Sequence, residues 1–186
     1  VRMTEAQIGY VAIETLKGLA YIHSRHRIHR DIKSDNVLGS RDGVIKLADF
    51  GISRRITDAD ARMGTMIGTP HYLAPEVVLA ENEGGYTSKV DIWSVGMVCI
   101  EMAEGKPPFH DLVPMRVLLE ISKKPKIELA DKSRWSAEFN NFVAACVRIE
   151  PDDRPSAKVL LDHAFLAGVK PTFIEDKDVA AKAAKE

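Results

Sequence analysis

Residues 89 to 103 are the stretch that most restricts how this chain can fold. Val90, Ile92, Trp93, Val95, Met97, Val98 and Ile100 put apolar groups on nearly every face of a helix. Such a helix is stable only when other elements surround it, so a helix over 89–103 is expected at the buried centre. The chain has 186 residues, a size at which one compact core removes about 70% of the unfolded surface from water. One domain is the expectation. At 45% hydrophobic, 28% charged and a net charge of -1, the composition is globular and excludes a nucleic-acid binder that relies on gross basicity. Cys99 and Cys146 each stand alone in an apolar stretch, which suits buried free thiols of a reducing compartment rather than a disulfide framework or zinc site. No apolar run approaches the ~20 residues that cross a bilayer, and the N-terminal order is not that of a secretory signal. A cytoplasmic protein with no membrane span is expected.

Ile8, Val11, Leu16 and Leu19 recur at helical spacing behind Thr4, with Gln7 placed to complete a capping box. This predicts an opening helix over 4–24. Two short apolar runs follow, Val37-Leu38 and Val44-Ile45-Lys46-Leu47, separated by Ser40-Arg41-Asp42-Gly43, which reads as a hairpin. Residues 51–72 show no sustained period and are rich in Arg, Asp, Thr and Gly, the pattern of a functional loop. Further helices are expected over 75–80, 115–122, 136–147 and 156–166, and residues 167–186 read as a charged, Ala-rich tail.

Three short motifs stand in order along this frame. His29-Arg30-Asp31-Ile32-Lys33-Ser34-Asp35-Asn36 fits H-R-D-x-x-x-x-N, Asp49-Phe50-Gly51 follows the second hairpin run, and Ala74-Pro75-Glu76 closes the long loop. Any one of them is weak, but the three at these intervals are specific. From Met3 to Leu166 the chain resembles the C-terminal lobe of a eukaryotic protein kinase. The resemblance implies a mainly α lobe of the α+β protein-kinase-like fold with a small β-hairpin, over residues 1–166, ahead of the 167–186 tail. Lys33 within Asp-Ile-Lys-Ser-Asp-Asn and the run Gly68-Thr69-Pro70-His71-Tyr72 resemble serine/threonine-specific kinases, since tyrosine kinases usually carry Ala-Arg wording at the first site. The run Ile100-Glu101-Met102-Ala103-Glu104-Gly105-Lys106-Pro107-Pro108-Phe109 is similar to the sterile-twenty-like group, nearest the Hippo and germinal-centre kinases, with the p21-activated kinases second.

Phosphoryl transfer needs carboxylates for magnesium, a cation for the moving phosphate and a group that orients the hydroxyl. The resemblance implies ATP and Mg2+ as cofactors and a protein substrate. It makes Asp31 the group that accepts or orients the hydroxyl proton, Lys33 the cation, Asn36 and Asp49 the metal ligands, and Leu38 the floor under the adenine. His29 and Phe50 are implied as a packing pair between the catalytic loop and the metal-binding turn. Asp91 is implied as the holder of the catalytic-loop backbone, and Glu76 with Arg154 as a buried ion pair. In the sterile-twenty-like group the threonine matching Thr65 is an activating phosphosite. Arg30 is the natural acceptor of its phosphate, and an upstream kinase or a trans-autophosphorylating dimer would supply it. Thr69 would hydrogen-bond toward Asp31 and Lys33.

No G-x-G-x-x-G occurs in the 186 residues, and Val11-Ala12-Ile13-Glu14 mimics the V-A-I-K wording with the wrong charge. The N-lobe is therefore expected to be missing from this stretch and its ATP clamp incomplete, leaving the isolated fragment inactive. A non-catalytic docking module built on a kinase C-lobe is the competing expectation, and a small-molecule phosphotransferase a third. Intact Asp31, Asn36 and Asp49 favour an active parent, because a pure scaffold has no physical need for metal ligands.

Overall fold

The computed structural model describes residues 3–40, 43–49, 54–55, 70–79 and 87–170. The chain opens with helix α1 (Glu5–His23), and the expected capping box is present: Thr4 Oγ1 accepts the Gln7 amide, and the Gln7 side chain accepts the Thr4 amide at 2.9 Å. Strand β1 (Arg27–Ile28) follows, then a 3-10 turn over Ser34–Asn36 and the hairpin of β2 (Val37–Gly39) with β3 (Ile45–Leu47), antiparallel with Leu38 opposite Lys46. Strand β4 (Arg54–Arg55) returns to pair antiparallel with β1, Ile28 opposite Arg54. The two-residue length of each strand hides this second pairing from any periodicity.

Helix α2 (Pro75–Leu79) leads to α3 (Lys89–Glu104). As expected, α3 is the hub: Ile92, Trp93, Met97 and Ile100 are fully buried, and its remaining faces meet α1 and α5. Gly105 ends it in the left-handed region at φ 81°, with its amide bonded to the Glu101 carbonyl at 2.7 Å. Helices α4 (Pro114–Ser122) and α5 (Ala137–Cys146) fall where the sequence places them. Ser136 caps α5 by accepting the Phe139 amide, and Glu5 of α1 in turn accepts from the Ser136 amide and hydroxyl, both at 2.6 Å.

The expected single helix over 156–166 is instead α6 (Ala157–Leu160) followed by a separate 3-10 turn, Ala164–Leu166. Its divider is His163, whose Nδ1 accepts the Phe165 amide at 3.2 Å and starts the second turn afresh, a local side-chain bond that competes with helix continuation. Cys99 and Cys146 are buried free thiols, and burial pushes the Cys99 thiol up to about 12. Among the described residues no helix is long and apolar enough to cross a membrane.

Candidate functional site

The loop between β1 and β2 carries His29 to Asn36, and α3 fixes its backbone. Asp91, 1% exposed on α3, accepts the His29 amide on Oδ2 at 2.9 Å and the Arg30 amide on Oδ1 at 2.8 Å. His23, in the last turn of α1, reaches the same Oδ2 at 2.8 Å. These bonds hold Arg30 at φ 72°, a left-handed conformation that a non-glycine residue keeps only when its surroundings impose it. His29 is fully buried, with Nε2 3.1 Å from the Ala48 carbonyl and Nδ1 3.4 Å from the Asp31 amide. The tautomer with hydrogen on Nε2 satisfies both contacts, so this ring ties the loop to the chain just before Asp49.

Asp31 then projects from a braced backbone. Its Oδ2 lies 3.0 Å from Lys33 Nζ and accepts from Asn36 Nδ2 at 2.9 Å. The same Nδ2 donates to the Asp31 carbonyl at 2.7 Å. Both Asn36 amide hydrogens are thereby spent on Asp31, and its carbonyl oxygen Oδ1 is left as an end suited to a hard cation. Asp49 is exposed beyond β3 and holds φ 59°, a second left-handed non-glycine residue in the same region. Leu38 on β2 is 53% exposed, an apolar surface at the open side of the hairpin. Asp31, Lys33 and Asn36 thus touch one another. Phe50, Thr65 and Thr69 lie outside the described residues.

One set of supporting contacts, around Glu101, has no signature in the sequence. Ser34 Oγ donates to Glu101 Oε1 at 3.0 Å and lies 3.3 Å from the Tyr72 hydroxyl, which donates to Glu101 Oε2 at 2.9 Å. Burial is the main cause that pushes the Tyr72 hydroxyl far up, keeping it a donor. This triangle joins the loop of residues 29–36, the residues just before α2, and α3. Glu76 and Arg154 meet in a bidentate pair at 2.7 and 2.9 Å, Arg154 0% and Glu76 4% exposed at the side chain. The guanidinium also covers the Trp93 ring at 5.0 Å. Glu14 belongs to α1 and pairs with Lys17 at 2.7 Å, as its helical reading requires.

Residues 1–166 match the family model for the protein kinase domain. The chain is 48% identical to the serine/threonine-protein kinase pakB of Dictyostelium discoideum over 100% of its length, covering 22% of that protein. It is 46% identical to the serine/threonine-protein kinase hippo of Drosophila melanogaster over 90% of its length, covering 25% of that protein. It is 48% identical to the serine/threonine-protein kinase 4 homolog A of D. discoideum over 90% of its length, covering 36% of that protein. The chain thus spans about a third or less of each of these relatives. The family match over residues 1–166, with identities of 46 to 48% over most of the chain, leads to one classification: the chain belongs to the protein kinase family, among its serine/threonine members of the sterile-twenty-like group.

Proposed function

We propose that this chain supplies the catalytic loop of a serine/threonine protein kinase, which moves the γ-phosphoryl group of ATP to a Ser or Thr hydroxyl of a protein substrate. The contact of Asp31 with both Lys33 and Asn36, on a loop held by Asp91, carries this reading. Asp31 orients the hydroxyl and takes up its proton at a carboxylate oxygen, and Lys33 neutralises charge on the phosphate side of that carboxylate. Asn36 Oδ1 and the Asp49 carboxylate are hard oxygen donors of the kind magnesium selects, so the residues fit the ion. Held by Asn36 and Asp49, Mg2+ would supply positive charge to offset the charge that develops on the transferring phosphate. Leu38 offers its exposed face to the adenine.

Residues 1–166 form the working lobe and 167–186 the tail in this reading, and the N-lobe of the same kinase completes the ATP clamp. The isolated 186-residue chain is expected to be inactive. Thr65 is the activating phosphosite, modified by an upstream kinase or by a second copy of the enzyme, and Thr69 positions Asp31 and Lys33. The Arg30 Nε supports the assignment, being buried with no hydrogen-bond partner among the described residues. An orphaned guanidinium donor is costly, and a phosphate with about -1.5 to -2 charge would satisfy it. The buried free thiols suit a reducing cytoplasm.

The test is Asp49→Ala in the full-length parent enzyme. Phosphotransfer to protein substrate should fall at least about a hundredfold with folding intact, and should not be restored by raising Mg2+. Turnover above a tenth of wild type removes Asp49 from the metal site.

A further inference from the structure

Helix α3 grips the loop of residues 29–36 at two places. Asp91 accepts the His29 and Arg30 amides at the start of the loop. Near the other end, Ser34 Oγ donates to Glu101 Oε1 at 3.0 Å. Asp91 and Glu101 stand ten residues apart on the same helix, a rise of about 15 Å, so the loop is strung along α3 between two carboxylates. Asp31 and Lys33 lie in the span between these anchors.

Ser34 sits where a small shift reaches the site. It follows Lys33, whose Nζ meets Asp31 Oδ2 at 3.0 Å, and it opens the 3-10 turn Ser34–Asn36 that brings Asn36 Nδ2 to the same oxygen at 2.9 Å. Its carbonyl accepts the Val37 amide and closes that turn, which has no side-chain cap from Lys33. The Ser34 hydroxyl is left as a tie from the turn to α3. Glu101 spends its second oxygen on another segment, accepting from the Tyr72 hydroxyl at 2.9 Å. Tyr72 is fixed at its backbone as well, since its carbonyl accepts from Ser94 Oγ on α3 at 2.8 Å. One carboxylate with a hydroxyl on each oxygen thus sets residue 34 against residue 72.

We propose that Glu101 is a positioning residue for phosphoryl transfer: through the Ser34 hydroxyl it fixes the turn that places Lys33 and Asn36 against Asp31, with Tyr72 bracing its other oxygen. This rests on the kinase reading above. Precision at the reacting groups is what such a tie protects, because a displacement of about 1 Å can lower a rate about a hundredfold. Ser34 is half-buried and outside the apolar core, so removing its hydroxyl frees the turn and leaves the lobe folded.

The test is steady-state kinetics of the full-length parent enzyme as wild type, Ser34→Ala, Glu101→Gln and the double variant Ser34→Ala/Glu101→Gln. Ser34→Ala is expected to lower kcat about tenfold, with the KM for ATP and the urea midpoint unchanged. The double variant should fall no further than Glu101→Gln alone, because the hydroxyl acts through the carboxylate. Should Glu101→Gln fail to fold, Ser34→Ala decides by the same split between kcat and KM. Losses that multiply in the double variant overturn the route through Ser34. A loss confined to the KM for protein substrate makes Glu101 a substrate-binding group and overturns the proposal. A lowered urea midpoint with unchanged kcat makes the triangle purely structural and overturns it too. Asp31→Asn, run beside these, separates the two levels: an active Asp31→Asn enzyme removes the kinase role assigned to this loop, whereas an inactive one with Ser34→Ala at wild-type kcat overturns positioning by Glu101 alone.

Discussion

Asp91 Oδ1 accepts the Arg30 amide at 2.8 Å, so a buried carboxylate on α3 sets the backbone of the residue beside Asp31. Asp91→Ala would orphan the Arg30 and His29 amides together. Each buried unsatisfied donor costs about 1 to 3 kcal/mol, and the pair is expected to destabilise the chain by about 2 to 6 kcal/mol. Urea denaturation of the 186-residue chain measures this, and a loss below about 1 kcal/mol would show that the loop is held by other contacts.

Arg154 and Glu76 close a second buried relationship, between the start of α2 and the turn before α6. Removing one partner by Glu76→Gln should cost about 3 to 5 kcal/mol, because a desolvated guanidinium remains. The double variant Glu76→Leu/Arg154→Met should recover part of that loss. Thermal denaturation of the wild type and the two variants decides the matter, and a double variant less stable than Glu76→Gln would contradict the cost of the desolvated guanidinium.

Gly96 on α3 lies against the C-terminal end of α5. A Cβ there would meet Val147 Cγ1 at 2.6 Å and Cys146 Cβ at 2.8 Å, so Gly96→Ala must push the two helices apart. Overpacking of this kind typically costs about 1 to 3 kcal/mol. A guanidinium midpoint equal to that of the wild type would show that the helices separate freely.

Burial lowers the pKa of His163, and its Nδ1 must stay unprotonated to accept the Phe165 amide. A folded-state value below the unfolded one, about 6.5, means that the unfolded chain binds the proton first. Stability is then full above that value and is lost as the pH falls through it toward the folded-state value. His71 is lowered as well, mainly by burial, and acts in the same direction. The urea midpoint should therefore drop between pH 7.5 and 5.5, and His163→Asn, which keeps an acceptor without titrating, should flatten part of that drop. Identical pH profiles for the two proteins would exclude His163 as a contributor.

The parts of the fold that could be read ahead are those with strong local causes. Residues 89–103 announce a buried helix because no face of it is polar, and Thr4 with Gln7 announces a helix start because the capping bonds are local. The β1 to β4 pairing was not legible, since Ile28 and Arg54 are joined only by tertiary geometry. The same holds for the site. Asp31, Lys33 and Asn36 stand within six residues and could be named together, whereas the triangle of Ser34, Tyr72 and Glu101 spans three distant segments. His23 carries no motif at all, and its bond to Asp91 emerges only when α1 lies against α3. His163 shows the converse, a local cap that breaks an apparently continuous amphipathic run.

Control through the long loop gives a further expectation in the full-length enzyme. Phosphatase treatment, Thr65→Ala and Arg30→Ala should each lower turnover, and Arg30→Ala should make turnover insensitive to phosphatase. Unchanged turnover after both phosphatase treatment and Thr65→Ala would remove the switch.

In the proposed kinase reading, Asp31 acts on the transferring group while Lys33 and Asn36, both in contact with its carboxylate, hold it in place. The most direct test of this role is the rate of phosphate transfer from labelled ATP to a protein substrate, measured for the full-length wild type and Asp31→Asn under saturating Mg2+. Asn keeps the size of the side chain but can neither take up the proton nor pair with Lys33. A fall of at least about a hundredfold with an unchanged denaturation midpoint is expected, and turnover above a tenth of wild type would rule out this role for Asp31.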